Sequence, residues 1–86
     1  MGGSIYSVRY KAFLARLRDA RLEAGLTQIE VAQKLNQPQS YVSRCESGER
    51  RVDVVELIDF ALIYKKPLSY FVDFATDNKN QSTATE

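Results

Sequence analysis

The sequence predicts an all-α fold of five short helices. Apolar residues recur at spacings of three and four, and no stretch alternates apolar and polar residues as a strand does. Gly25, Asn36, Gly48 and Pro67 supply breaks between the periodic stretches. Two capping-box patterns, Thr27 with Glu30 and Asp53 with Glu56, mark helix starts. The 86 residues, 44% hydrophobic and 27% charged, have the composition of a globular protein. A chain of this length forms one domain that buries about 60% of its unfolded surface.

Val8, Phe13, Leu14, Leu17 and Leu22 define the apolar face of a first helix that ends near Ala24, with Gly25 as its stop signal. Thr27 opens a second helix whose inward residues are expected to be Val31, Ala32 and Leu35. Asn36 tolerates the left-handed conformation that ends helices. Pro38 suits the first turn of a third helix, where a missing N–H costs nothing, and that helix runs to about Ser47 before Gly48. Asp53 opens a fourth helix expected to bury Val54, Leu57, Ile58, Ala61 and Leu62, with Lys65 and Lys66 complementing its C-terminal dipole.

Pro67 then permits a last short helix, "LSYFVDF". Its Leu68, Phe71, Val72 and Phe74 carry more apolar surface than so short an element usually needs. That surface has two readings, closure of the core or a dimer contact.

The domain is expected over residues 7–75, with a loose N-terminus at 1–6 and a flexible tail at 76–86, "TDNKNQSTATE", which has little to bury. Neither end has the apolar run of a signal peptide or membrane span, so a cytoplasmic protein is expected, with no membrane partner. No second, ligand-sensing domain and no small-molecule ligand are expected at this length. One cysteine and no histidine argue against a disulfide framework, a structural zinc set and His-based catalysis. Cys45 falls at an apolar helical position and reads as a packing residue. With no plausible nucleophile, metal set or Gly-rich phosphate loop, neither an enzyme nor a cofactor is expected. Net charge is only +1, but Arg9, Lys11, Arg16, Arg18 and Arg21 gather against Asp19 alone. A solvated helix face is the simpler reading of that run, and a phosphate-binding surface is the alternative.

The informative unit is the pair of helices from Thr27 to Ser47. So short a connection makes them cross steeply, which calls for a small residue at the contact, and Ala32 lies opposite Val42 and Cys45. Gln28 to Cys45, flanked by "LRDARLEAGLTQ" and "ESGERR", resembles the helix-turn-helix of the Cro/repressor (XRE) family of DNA-binding proteins. The likeness extends from Tyr10 to Phe74. It implies a compact five-helix, lambda-repressor-like domain. The chain departs from the family pattern at Asn36, where Gly is usual, and at Gln37, where a branched apolar residue is usual.

The resemblance also implies roles. Gln28 would contact a phosphate and brace the recognition helix, and Gln39 would read a base edge, its amide matching adenine N6 and N7. Ser40, Ser43 and Arg44 occupy neighbouring outward positions, Arg44 suiting either guanine or a phosphate. Tyr41 suits a DNA contact or a half-buried place at the helix crossing. Arg50 and Arg51 would run along the DNA backbone, while Arg21 and Glu46 would form a structural ion pair. The implied function is sequence-specific binding of double-stranded DNA by a homodimer on an inverted repeat, as a transcriptional regulator, repressor or autoregulator. The alternative is a protein-interaction module, antitoxin-like, with the helix-turn-helix as scaffold.

Overall fold

The computed structural model describes residues 7–73. Helix α1 spans Val8–Glu23, α2 Gln28–Leu35, α3 Gln39–Ser47 and α4 Val54–Tyr64. A fifth helical segment, α5, covers 68–73, and no strand occurs among the described residues. Phe74, the expected loose N-terminus at 1–6 and the expected tail at 76–86 lie outside them.

Local chemistry accounts for the boundaries. Ser7 caps α1 by accepting from the Tyr10 N–H, and both expected capping boxes are formed, at Thr27/Glu30 and Asp53/Glu56. Asn36 closes α2 in the left-handed conformation, with φ of 59°. The Gln37 N–H donates to the Ala32 carbonyl at 3.0 Å and the Asn36 N–H to Gln33 at 3.2 Å, so two otherwise orphaned carbonyls of α2 are satisfied. The turn is therefore pinned through its backbone, although the Gln37 side chain is exposed. Pro38 stands as the residue before α3 rather than within its first turn.

The core gathers one stripe from each helix: Phe13, Leu17 and Ala20 of α1, Val31 and Ala32 of α2, and Val42 and Cys45 of α3. From α4 come Leu57, Phe60, Ala61 and Tyr64. This corrects two expected faces. Val8 and Leu22 are exposed rather than inward. Leu22 follows Phe13 by nine residues, about half a rotation away at 100° per residue.

Val54, Ile58 and Leu62 are likewise exposed, and Phe60 and Tyr64 are buried instead. The buried residues 57, 60, 61 and 64 follow the i, i+3, i+4, i+7 pattern, leaving Val55, Ile58 and Leu62 as a second apolar stripe facing outward.

Helix α5 is fastened to α1 at both ends. Phe71 is completely buried, whereas Leu68 and Val72 are exposed. Arg16 pairs with Asp73 and donates to the Tyr70 carbonyl at 2.6 Å. Lys66 pairs with Glu23 at 2.6 Å and sits 4.6 Å from the Tyr70 ring centroid. Lys66 holds the Glu23 carboxyl below its ordinary value. Phe71 thus serves the core, and of the four residues offered for a dimer contact only Leu68 and Val72 present described, exposed apolar surface.

Candidate nucleic-acid interface

The α2–α3 pair is braced by a chain of polar contacts. Arg21 Nε donates to Glu46 Oε2 at 2.6 Å and Nη2 to Oε1 at 3.1 Å, while Nη1 donates to the Leu26 carbonyl at 3.0 Å. The two side chains are 11% and 7% exposed, so the pair is screened from water on most sides. Its hydrogen bond to Glu46 raises the pKa of Arg21 against the opposing effect of burial.

Gln28 Nε2 donates to Glu46 Oε1 at 3.1 Å, and Gln39 Nε2 donates to Gln28 Oε1 at 3.2 Å. Arg21 on α1, Glu46 on α3, Gln28 on α2 and Gln39 at the start of α3 therefore form one relay. Only one of the two Gln39 amide protons is engaged by Gln28, which leaves a donor and the carbonyl acceptor directed from an exposed position.

Gln39, Ser40 and Arg44 are exposed on α3, and Ser43 is half-buried. Arg44 has only a loose ionic neighbour, Glu49 at 4.0 Å. Pro38 gives α3 no side-chain cap, so the positive end of this helix is left for solvent or a ligand at the same surface.

Tyr41 stands apart from these. Its half-buried ring stacks on Phe60 at 6.3 Å, with the Arg50 guanidinium 4.9 Å from its centroid. Burial pushes its hydroxyl up to about 12. Tyr41 thus takes the half-buried place at the helix crossing, with part of its surface still exposed.

The loop after α3 is set by Gly48. Its φ is +88°, a conformation that favours glycine, and a Cβ there would press on Leu14 Cδ1 at 3.0 Å. Arg50 pairs with Glu56 at 2.8 Å, and Arg51 lies 4.3 Å from the Tyr10 ring centroid. The Tyr10 hydroxyl accepts from the Val52 N–H at 3.1 Å. Arg50 and the Asp53 N–H together hold the Glu56 carboxyl below its ordinary value.

The anchoring by Tyr10 and the second role of Glu56 were not evident from the sequence. The capping-box spacing shows what Glu56 does locally, but no periodicity relates Glu56 to Arg50 six residues before it, or Tyr10 to Val52 42 residues on. Among the described residues no group of His, Cys, Asp and Glu is placed to hold a metal ion, and Cys45 is a buried free thiol whose pKa is raised by desolvation.

A capped α2, a tight turn and an exposed, polar-faced α3, supported by α1 and α4, define a helix-turn-helix protein. A helix-turn-helix family model matches residues 17–71, and the chain belongs to that family, of the Cro/C1 (XRE) type. Domains of this family bind double-stranded DNA and belong to transcription regulators. No curated protein matches the chain. No helix among the described residues is long and apolar enough to cross a membrane.

Proposed function

We propose that the protein is a cytoplasmic, homodimeric transcriptional regulator, a repressor or autoregulator, that lays α3 in the major groove of an inverted-repeat operator. The observation that carries this reading is the relay ending at Gln39. A base-reading amide is useful only if its plane is fixed, and here Gln28 orients it while Glu46 and Arg21 orient Gln28. Ser40 and Arg44 extend the same exposed surface. Gln28, Arg50 and Arg51 contact backbone phosphates and set the register without reading sequence.

One such helix makes too small a contact for strong specificity, and two copies related by a two-fold axis read two half-sites about one helical turn apart. The outward stripe of α4, with Leu62 at 72% and Val55 at 63% exposed, is the self-complementary surface we assign to that association, joined by Leu68 and Val72.

Selection from a random duplex library at near-physiological salt tests the reading: an inverted repeat is expected to be enriched. Gln39→Ala should relax preference at one base position of each half-site, at a cost of about 1 to 3 kcal/mol. The exposed α4 stripe also favours a second reading, a protein-interaction module with the helix-turn-helix as scaffold. Such a protein would enrich no duplex, and its partner binding would be nearly insensitive to salt.

A further inference from the structure

The run of basic residues on α1 does not behave as one face. Arg16 is tied to α5 and Arg21 to Glu46. Arg18, by contrast, lines a surface depression with Arg21, Gln28, Ser43, Glu46 and Ser47, where α1, α2 and α3 meet. The Arg21–Glu46 pair is closed on itself, so its charges offset each other and the depression keeps the single positive charge of Arg18. Ser47 Oγ donates to the Arg44 carbonyl at 3.2 Å and accepts from the Glu49 N–H at 3.3 Å. Gln28 is engaged at both ends of its amide by the relay. Among the lining residues, Arg18 and Ser43 are the two that no side-chain hydrogen bond or ion pair engages within the described residues, and Gln28 keeps one amide N–H beside them.

We infer that this depression seats one phosphate of the DNA backbone, with the Arg18 guanidinium and the Ser43 hydroxyl as its ligands. A phosphodiester supplies what the site lacks, a single negative charge with acceptor oxygens for an Arg fork and a hydroxyl. The seat opens beside Gln28 and α3, on the side that the proposed function turns towards DNA. It brings α1 into the interface as a third contacting helix. The inference rests on that proposed DNA reading and deepens it.

Counterion release gives the test, because each phosphate neutralised contributes about 0.9 to the slope of log affinity against log salt. Binding of the full chain to a 20-base-pair B-form duplex, followed by fluorescence anisotropy over a salt series, is compared for wild type, Arg18→Ala, Arg18→Lys and Arg9→Ala. Arg9 is exposed on the same helix but nine residues away, about 180° round the axis, and serves as the matched loss of charge.

Arg18→Ala should flatten the slope by about 0.9, Arg18→Lys should restore it with weaker binding, and Arg9→Ala should leave it near the wild-type value. Equal slopes in Arg18→Ala and wild type, or equal flattening in Arg18→Ala and Arg9→Ala, would overturn the phosphate seat while leaving the DNA reading intact. Absence of duplex binding by the wild type would overturn both. Helical circular dichroism of each variant checks that the exposed substitutions leave the fold in place.

Discussion

The α2–α3 pair and the α4–α5 end of this small domain are built in opposite ways. The first is positioned by polar contacts of fixed geometry: a capping box, a backbone-pinned turn, and the relay from Arg21 through Glu46 and Gln28 to Gln39. The second is held by aromatic packing, with Phe60 between Tyr41 and Tyr64 and Phe71 wholly buried, and it shows a row of unpartnered aliphatic residues outside. Directional bonds hold an amide in one orientation, whereas aliphatic contact adds area without direction. The end to which we assign DNA reading is therefore polar and braced, and the end that adds surface is apolar.

Substitutions ranked by effect separate the two ends. Phe60→Ala should be the most damaging, about 4 kcal/mol by urea denaturation, because it opens a cavity under both Tyr41 and Tyr64. Glu46→Ala should follow at about 3 kcal/mol, since it strands the Arg21 guanidinium in a site mostly closed to water and frees Gln28. A loss within a few tenths of a kcal/mol there would mean that the relay contributes little to the fold.

Lys65→Gly should act in the other direction. Lys65 ends α4 at a φ of 59°, where a Cβ is strained, so glycine should raise stability by about 1 kcal/mol in the same assay. The smallest effect belongs to Leu62→Ser, within about 0.5 kcal/mol of wild type for the monomer. Sedimentation should nevertheless show weaker self-association, separating the outer stripe of α4 from its inner one.

Acid should loosen the start of α4 selectively. The Glu56 carboxyl has a pKa below its ordinary 4.5, so its stabilising contribution is complete above that value and is lost as pH falls through the lower folded-state value. Glu56→Gln should lower the melting temperature at pH 6, and the deficit should shrink towards pH 3.

The same contrast decides what was legible in the sequence. In α2 and α3 polar and apolar residues are segregated, so Val31, Ala32, Val42 and Cys45 could be placed inward from spacing alone. Helix α4, "VVELIDFALIY", is apolar almost all round, and spacing then admits more than one buried face. The packing of Phe60 and Tyr64 against the other helices selects the inner one, a tertiary choice that a local pattern does not contain.

Phe71 is similar, since its apolarity fits core closure and partner contact equally until Arg16 and Lys66 are seen to fasten α5 in place. At the site, the family likeness pointed to Gln28, Gln39, Arg21 and Glu46. Their linkage into one relay required the helices to be assembled. The Tyr10–Val52 and Arg50–Glu56 anchors had no sequence signal beyond residue type, because they join segments through the fold rather than along a helix.

The most direct measurement is a map of backbone amide shifts in the nitrogen-15-labelled protein as a short duplex is added, at low and at near-physiological salt. Salt-sensitive shifts should concentrate at Gln28, along the exposed side of α3 and through residues 48–52, with Val55, Ile58 and Leu62 unmoved by DNA. Shifts centred on the outer face of α4, or none at either salt, would contradict that placement.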